Sequence, residues 1–388
     1  MKICHVITRL IVGGAQENTV LSCEGLVRRG HDVTLVAGPE TGPEGSLWEQ
    51  AAASGAGLVG LNSLRRRPRP WLDWRCVGEV RRVFRDGGFD VVHTHSSKAG
   101  ILGREAARRA GVPVVVHTIH GMSFNRTQGW LARGLYRWLE RRAAGWTDAF
   151  VTVADAMADQ AVAARLGARE KFTTIYSGMR TEAYLPDAAA RRAVRAEWGV
   201  DDSAVVVGTI ARLFRNKGYE ELLAAMPFMV ARVPGLRFVW VGDGAGRGRY
   251  VAALERMGLR DRVILTGLVR PGRVPGLVAG LDVMVHASRW EGLARALVQG
   301  MLMEVPGVSF DNDGAPEVVV EGETGRLVRY GDVRGLADAV VELAGSVELR
   351  RRMGAEGRRR CLERFSAERM VGELEGLYGR LLATRGCA

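Results

Sequence analysis

Short apolar runs rich in β-branched residues alternate with helical patterns along almost the whole chain. In the first half, strands are predicted at residues 2–8, 31–38, 57–61, 90–95, 112–119, 148–154 and 171–176. In the second half, they are predicted at residues 203–211, 236–244, 262–268, 282–288 and 305–310. Helical stretches such as Gln16–Arg29 and Ala99–Ala110 separate most of these strands. Strands that are apolar on both faces and alternate with helices indicate parallel sheets covered on both sides.

The length of the chain predicts two such sheets. At roughly 100–200 residues per domain, 388 residues correspond to two domains. The weakest hydrophobic pattern between the two halves runs from Ser177 to Asp202, and the linker is predicted there. The fold class is therefore α/β, with two doubly wound Rossmann-like domains. The ligand is expected in a central cleft between the carboxyl ends of their strands.

Composition excludes several classes of protein. The 47% of hydrophobic residues suffices for packed cores, which argues against a disordered chain. No apolar run reaches the ~18 residues of a membrane-spanning helix, and the opening MKICHVIT does not resemble a signal peptide. The cysteines are scattered and lack a C-x-x-C pair, which argues against a disulfide framework or a zinc ribbon. A cytoplasmic protein is expected.

Positive charge is concentrated in the first half of the chain. The net charge is +12, of which +9 lies before residue 181. Within residues 63–75, four arginines at positions 65, 66, 67 and 69 stand beside Trp71 and Trp74, and the two prolines there predict a loop. This combination favours binding to an anionic membrane surface or to phosphate groups, with a solvated arginine face as the alternative. The cations are interleaved with acids and form no recognised nucleic-acid module, so no nucleic-acid partner is expected.

A second basic and aromatic segment is predicted to be helical. Trp130, Leu131, Leu135 and Trp138 form an apolar stripe, with arginines on another face of the same helix. Such a stripe suits either a buried core contact or a membrane interface. The pattern alone leaves both interpretations open.

The dinucleotide-binding and P-loop motifs are missing. The first strand is followed by Gly13-Gly14 rather than by G-x-G-x-x-G, and no Walker A loop occurs. After the strand at 236–244, glycines recur, but Arg247 stands where a third fingerprint glycine is needed. A nicotinamide-dependent enzyme and a P-loop enzyme are therefore disfavoured.

Two strand–helix turns carry residues that suit phosphate groups. Gly13-Gly14 lets the backbone approach a phosphate at a helix N-terminus, although an ordinary turn explains the pair equally well. Arg212 and Lys217 follow the first strand of the second half. A guanidinium and an ammonium there would hold a diphosphate and stabilise the charge on it as it leaves.

Glu291 and Gln299 follow the strand at 282–288. Glu291 is predicted at the start of a helix, where the helix dipole favours a carboxylate. The spacing of eight residues then places Gln299 two turns later, on the same face. Carboxylate and amide groups suit hydrogen bonds to the hydroxyls of a sugar and a ribose.

At these residues the chain resembles glycosyltransferase family 4, retaining enzymes of the GT-B fold with an E-x7-E signature. The resemblance runs in order over nearly the whole chain. Its motifs are Gly13-Gly14-Ala15, RRGHDVTLVAG, DVVHTHSSKAGILGR, HTIHGMSF, IYSGM, IARLFRNKG, VGDG and EGLARALVQGM. The resemblance implies an acceptor domain over residues 1–178, a nucleotide-sugar donor domain over 179–364, and a helix over 365–388 that returns to the first domain.

The resemblance also implies roles for individual residues. Arg212 and Lys217 would hold the donor diphosphate, and His120 would lie near the transferred sugar as a catalytic contributor. Glu291 would orient the donor sugar. The remaining donor-binding positions are implied to be Gly13, Gly14, Gly242, Asp243 and Gln299. Gln299 departs from the pattern, which usually has Glu there, but an amide can still bond ribose hydroxyls.

Two groups of residues invite a metal interpretation. Asp311-Asn312-Asp313 spells D-x-D, and His93, His95 and His117 cluster in sequence. The resemblance implies cations in the place of a metal, so neither a metal nor another cofactor is expected. Hydrogen bonding on the acceptor side is expected of His95 and Lys98, with a buried structural histidine as the alternative for His95.

The sequence thus predicts a retaining glycosyltransferase. It would transfer a sugar from a nucleotide-diphosphate donor to a hydroxyl of a lipid-linked saccharide in the synthesis of a bacterial surface polysaccharide. Two alternatives stay open. The replacement at Gln299 would suit a catalytically silent nucleotide-sugar-binding protein, and a nucleotide-sugar epimerase shares the same architecture.

Overall fold

The computed structural model describes residues 1–39, 42–124 and 128–386, so Cys387 lies outside the described residues. The chain divides into two compact units. The first unit comprises Met1–Met179 and Ala367–Ala388, and the second comprises Arg180–Ser366. The segments expected from the sequence, 1–178, 179–364 and 365–388, differ from these bounds by one or two residues.

The first unit is built on a seven-stranded parallel sheet. Its strands are β1 (Lys2–Arg9), β2 (Asp32–Gly38), β3 (Gly57–Gly60), β4 (Val91–His95), β5 (Val114–Ile119), β6 (Ala149–Thr152) and β7 (Phe172–Thr174). They lie in the order β3-β2-β1-β4-β5-β6-β7. The seven strands predicted for this half are confirmed. The near-complete burial of β1, β4, β5 and β6 explains why the sequence shows largely apolar runs there rather than alternation.

Helices cover both faces of this sheet. They are α1 (Gly14–Arg28), α2 (Trp48–Ala53), α3 (Pro70–Gly87), α4 (Ser97–Ala110), α5 (Trp130–Ala144), α6 (Asp155–Ala163) and, from the end of the chain, α14 (Ala367–Thr384). Alternate residues of β1 pack on opposite faces. Ile3 and Ile7 share a core with α1 and α14, whereas Cys4 and Val6 share one with α3 and α4.

The second unit is built on a six-stranded parallel sheet. Its strands are β8 (Val206–Ile210), β9 (Arg237–Val241), β10 (Val263–Gly267), β11 (Val283–His286), β12 (Gly307–Phe310) and β13 (Gly325–Val328), in the order β10-β9-β8-β11-β12-β13. Its helices are α7 (Ala188–Glu197), α8 (Tyr219–Arg232), α9 (Arg247–Arg256), α10 (Val274–Ala279), α11 (Arg295–Leu302), α12 (Val333–Gly345) and α13 (Val347–Arg364). Five strands were predicted, and β13 was missed because its short GRLV sequence carries a glycine and an arginine.

The boundary between the two units, at residues 179–180, falls inside the predicted linker, but much of the predicted segment belongs to the second unit. Helix α7 lies within residues 177–202, and two of its arginines hold the start of β11. Arg191 donates to Asp282 Oδ1 at 2.7 Å, and the buried Arg195 donates to Asp282 Oδ2 at 3.1 Å. Helix α7 is attached to the second unit by charged hydrogen bonds rather than by a wide apolar stripe. Its sequence is therefore rich in Ala and Arg, which is also typical of a linker.

Of the two basic and aromatic segments, the first differs from expectation and the second resolves an open alternative. Helix α3 begins at Pro70, so the loop predicted for residues 63–75 is wrong over its last six residues. Proline at the first helical position is compatible with a helix because it lacks only an N–H that is unbonded there. Helix α5 is present as predicted, and its apolar stripe is exposed rather than part of the core.

A buried ion pair explains why the stripe of α5 faces outward. Arg104 of α4 donates to Glu140 of α5 at 2.6 Å, and both side chains are almost completely buried. The inward face of α5 therefore consists of Glu140, Ala143 and Ala144. Breaking such a buried pair costs about 3–5 kcal/mol, so it fixes the rotation of α5 against α4.

Within the described ranges, no helix combines the length and the apolar character that crossing a membrane requires.

Candidate active site

The carboxyl edge of the second sheet collects the polar residues that the sequence singled out. Arg212 and Lys217 follow β8, Gly242 and Asp243 follow β9, and Glu291 follows β11. Parallel strands present their carboxyl ends at one edge, and ligands of doubly wound sheets bind there. The expected donor residues of this unit, except Gln299 on α11, therefore lie in loops at the ligand-binding edge.

Lys217 and Glu291 form an ion pair across two of these loops. The Lys217 ammonium donates to Glu291 Oε1, and the two side chains are only 15% and 22% exposed. His286, at the end of β11, places its Nε2 3.4 Å from the same oxygen. Burial alone would raise the pKa of the Glu291 carboxyl, but Lys217 and His286 hold that pKa well below its ordinary value. Glu291 is therefore ionised at neutral pH.

The loop that carries Glu291 is fixed by hydrogen bonds from two neighbouring loops. The backbone N–H of Arg289 donates to the carbonyl of Asn216 at 2.9 Å. On the other side, the Asn312 amide donates to the carbonyl of Arg289 at 3.1 Å, and Asp313 Oδ2 accepts from the N–H of Glu291 at 2.8 Å. Two residues of the D-x-D sequence thus hold the catalytic candidate in place.

One expectation about Glu291 is wrong. Helix α11 begins at Arg295, so Glu291 lies in a loop and not at a helix start. Its charge is stabilised by Lys217 rather than by a helix dipole. Gln299 does lie on α11, where its Nε2 donates to the hydroxyl of Tyr184 at 2.9 Å. The two signature residues therefore do not share one helical face.

Two glycines allow the loops at this edge to approach each other closely. Gly218 has φ of 74°, and a Cβ there would lie 1.7 Å from the carbonyl oxygen of Ala287. Gly242 has φ of 135°, and a Cβ there would lie 2.3 Å from the carbonyl oxygen of Ala211. Any other side chain would push the β8 loop away from its neighbours. Gly218 thereby sets the short distance between Lys217 and the β11 loop.

Arg212 and Asp243 lie in adjacent loops. The N–H of Leu213 donates to the carbonyl of Asp243 at 3.0 Å, and Asp243 Oδ2 accepts from Arg247 at 3.2 Å. The exposed Arg212 places its guanidinium 4.9 Å from the centre of the Phe214 ring. The ring supports the guanidinium on one side, which limits its freedom to leave the edge of the sheet.

The first unit carries the other expected residues at the carboxyl edge of its own sheet. Gly13 and Gly14 join β1 to α1, which begins at Gly14. His95 ends β4, and the half-buried His120 directly follows β5. Lys98 instead points toward α3, where it bonds Asp73 at 2.5 Å and the Arg67 carbonyl at 2.6 Å. His95 and Lys98 therefore face different neighbours.

A cluster of buried histidines extends inward from His120. His95 Nδ1 lies 3.1 Å from His120 Nε2, and His95 Nε2 lies 2.9 Å from His5 Nδ1. The neighbouring His93 bonds Tyr378 at 2.5 Å and Thr118 at 2.6 Å. His5 was missed from the sequence, although a polar residue in an otherwise apolar strand was the available signal. His117 lies apart and bonds Thr94 at 2.9 Å.

These histidines are hydrogen-bonded to one another and to neighbouring hydroxyls. His5, His93 and His95 place possible ligand atoms within 4.8 Å of one another. However, the rings of His93 and His95 stack with centroids 4.3 Å apart, and both nitrogens of each ring have hydrogen-bond partners. Metal-binding imidazoles instead direct free lone pairs at one point.

Family models match both units. Residues 13–178 match the glycosyl transferase 4-like domain, and residues 204–346 match the glycosyl transferases group 1 domain. The putative glycosyltransferase EpsD of Bacillus subtilis is 30% identical over 324 residues, which cover 81% of this chain and 83% of the relative. Escherichia coli UDP-Gal:α-D-GlcNAc-diphosphoundecaprenol α-1,3-galactosyltransferase is 26% identical over 382 residues, covering 97% and 96% of the two chains.

A solved structure agrees with the fold. HepE of Anabaena, determined in complex with UDP and glucose, superposes with a TM-score of 0.83 and 21% identity over 98% of this chain and 99% of that one. At 21% identity, this similarity is evidence for the fold alone, and it confirms the GT-B fold expected from the sequence. The chain is an enzyme that belongs to the glycosyltransferases with a glycosyl transferase 4-like N-terminal domain and a group 1 C-terminal domain.

Proposed function

We propose that the protein is a retaining glycosyltransferase that moves a sugar from a nucleoside diphosphate to a hydroxyl of a lipid-linked saccharide. The observation that carries this proposal is the ion pair between Lys217 and Glu291 at the carboxyl edge of the second sheet. A cation and an ionised carboxylate side by side suit a ligand with a diphosphate next to a sugar. The cation binds the phosphate oxygens, and the carboxylate accepts from sugar hydroxyls.

The chemistry assigned to these residues follows from where charge develops. As the glycosidic bond breaks, negative charge grows on the leaving diphosphate, and Arg212 and Lys217 neutralise it. Glu291 orients the sugar. For His120, the resemblance to glycosyltransferase family 4 supplies the proposed role, a hydrogen bond to the transferred sugar. The acceptor hydroxyl attacks from the face that the diphosphate leaves and gives its proton to the diphosphate. The new bond then has the configuration of the old one.

The same residues support catalysis without a metal. Arg212 and Lys217 supply the positive charge that a divalent cation would otherwise place on the diphosphate. The Asp313 carboxylate accepts from the N–H of Glu291, which gives it a role in loop structure. We therefore assign no cofactor to the reaction.

The substrate class is inferred from the relatives. The Escherichia coli relative takes UDP-galactose and acts on GlcNAc-diphosphoundecaprenol, according to its name. It is similar to this protein over 97% of the chain. A nucleotide-sugar donor and a lipid-linked saccharide acceptor follow by analogy, in the synthesis of a surface polysaccharide or glycolipid.

Gly13 and Gly14 would lie near the donor. His95 is 1% exposed, so it acts on ligands through His120.

The first unit offers a surface for the membrane that holds such an acceptor. Trp71 and Trp74 of α3 are 80% and 67% exposed, and Trp130 of α5 is 76% exposed. Helix α4 packs against both helices, so they lie on the same face of the sheet. A groove of about 470 Å³ beside Trp74 is lined by Arg75, Arg81, Arg82 and Arg109, together with Glu79, which is paired with Arg75. Exposed tryptophans beside arginines suit the headgroups of anionic lipids, and we place the protein on the cytoplasmic face of the membrane.

The proposal is tested by donor binding and by turnover. A thermal-shift screen against UDP-, GDP-, ADP- and CDP-sugars, with EDTA present, is expected to find one nucleotide that stabilises the protein. With that donor and a lipid-linked saccharide, the enzyme should release the nucleoside diphosphate, and NMR of the product should show the anomeric configuration of the donor. An inverted product would refute the retaining mechanism.

The same assay separates the two alternatives. A silent binding protein would be stabilised by the donor without releasing nucleoside diphosphate under any condition. An epimerase would change the sugar in the absence of an acceptor. Activity that is lost in EDTA and restored by a divalent cation would contradict the metal-independent mechanism.

A further inference from the structure

Three imidazoles form a continuous row from the interior of the first unit to His120. His5 Nδ1 lies 2.9 Å from His95 Nε2, and the two ring planes are 14° apart. His95 Nδ1 lies 3.1 Å from His120 Nε2, with the planes 32° apart. Small interplanar angles with these distances place the nitrogens edge to edge, so both contacts are in-plane hydrogen bonds.

The inner end of the row determines the direction of these hydrogen bonds. His5 is completely buried, and its Nε2 has no hydrogen-bond partner. A buried N–H without an acceptor is rarer and more costly than a buried lone pair without a donor. His5 therefore carries its proton on Nδ1 and donates to His95 Nε2.

The direction propagates because each neutral imidazole has one donor and one acceptor nitrogen. Burial lowers the pKa of His5 to about 3. Burial, together with the neighbouring histidines, also holds the pKa of His95 well below its ordinary value, so both rings are neutral at pH 7. Once His95 Nε2 accepts, its proton is on Nδ1, from which it donates to His120 Nε2. His120 is then protonated on Nδ1.

We propose that His5 and His95 are positioning residues that hold His120 as the Nδ1–H tautomer. This inference rests on the role of His120 proposed above, and it specifies which nitrogen of the ring carries the proton. The tautomer of a histidine is set by the bond that its other nitrogen makes. A ring that exchanged tautomers would present a lone pair to a sugar oxygen for part of the time.

The surrounding residues keep the row in place. His93 stacks on His95 with centroids 4.3 Å apart, and its own nitrogens are bonded to Tyr378 and Thr118. In the sheet, His5 of β1 is in register with His93 of β4. The row is thus held by strand register and by α14, which carries Tyr378.

The direct test is NMR of the intact protein with ¹⁵N-labelled histidine. The chain has seven histidines, so the ring resonances can be assigned by substitution. The expected result is that His5, His95 and His120 all carry their proton on Nδ1. Detection of His120 as the Nε2–H form would overturn the proposal. This measurement needs no turnover. A wrong tautomer would therefore refute this inference alone, and a lack of transferase activity would refute only the proposed function.

Variants of His5 connect the tautomer to the reaction. His5→Leu removes the donor, so His120 should become a mixture of tautomers and kcat should fall about 10- to 100-fold. The KM for the donor should stay within about threefold, because ground-state contacts are retained. His5→Asn keeps an amide donor near the Nδ1 position and should restore both the tautomer and most of kcat.

His117→Leu is the matched control, because His117 is equally buried on β5 but bonds Thr94 outside the row. It should lower the melting temperature about as much as His5→Leu and leave kcat unchanged. The proposal is wrong if His5→Leu leaves both kcat and the His120 tautomer unchanged. It is also wrong if kcat falls while His120 remains entirely Nδ1–H. If His5→Leu does not fold, the His120 tautomer in the wild-type spectrum and the tautomer and kcat of His5→Asn still test the proposal.

Discussion

The ammonium of Lys217 is paired with the carboxylate of Glu291, although the two residues lie 74 positions apart in the chain. Lys217 comes from the loop after β8 and Glu291 from the loop after β11, which are neighbouring strands in the sheet. The left-handed conformation of Gly218 lets these two loops meet. The pair concentrates opposite charges where a diphosphate and a sugar would be bound side by side.

Removing either cation of this edge should impair the reaction. Arg212→Ala and Lys217→Ala are each expected to lower kcat/KM about 100-fold or more, because in the proposed mechanism each removes a charge that neutralises the leaving diphosphate. Steady-state kinetics with the identified donor measures this. Arg215→Ala is the matched control, since Arg215 is exposed in the same short helical turn as Lys217. Unchanged kinetics in both variants would refute the diphosphate role.

Gln299→Glu should preserve donor binding. The Tyr184 hydroxyl accepts from Gln299 now and can donate to a carboxylate instead, so the local structure tolerates the change. The expected affinity for the donor, measured by isothermal titration, is within about threefold of the wild type or tighter. Gln299→Leu, which cannot bond a ribose hydroxyl, should bind the donor more weakly. Complete loss of binding in Gln299→Glu would show that the amide N–H itself is required.

The stability of the first unit should fall as the pH is lowered below neutrality. Burial lowers the pKa of His5 to about 3 and also depresses the pKa values of His93 and His95. Below about pH 6.5 the unfolded chain therefore binds protons that the folded unit excludes. Stability is fully present above that pH, and each histidine removes about 1.4 kcal/mol per pH unit as the pH falls toward its folded-state pKa.

Urea unfolding between pH 7 and pH 5, followed by hydrogen exchange in β1 and β4, measures this loss. His5→Asn removes one titrating group and should make the pH dependence shallower by about 1.4 kcal/mol per pH unit. A free energy of unfolding that is the same at both pH values would contradict the assignment of neutral, buried histidines.

The exposed tryptophans of α3 should bind the protein to anionic membranes. Trp71→Ser with Trp74→Ser is expected to weaken co-sedimentation with phosphatidylglycerol-containing vesicles about tenfold or more. Binding should also decrease with added salt, because the arginines contribute by charge. Leu268→Ser, at a position of the second unit that is 49% exposed, is the control. Equal binding of the wild type and the double variant would show that these tryptophans are ordinary surface, and binding that does not change with salt would show the same for the arginines.

The sequence was sufficient for the sheets because a strand covered on both faces is predominantly apolar. All seven strands of the first unit and five of the six in the second follow from this pattern, whereas β13 has too few apolar residues to show it. The glycines, cations and signature residues could be located because polar groups directly after such strands lie at the ligand-binding edge. Family resemblance then supplied their expected roles.

Tertiary structure decided which of these residues meet. Glu291 has its charge stabilised by Lys217 rather than by a helix, because strand order makes the β8 and β11 loops neighbours. His5 joins the row that ends at His120 because β1 pairs with β4 in a register that no local pattern contains. The stripe of α5 faces outward because Arg104 binds Glu140 on its other side. Local sequence sets which face of an element is apolar or polar, but contacts between distant elements depend on topology and register.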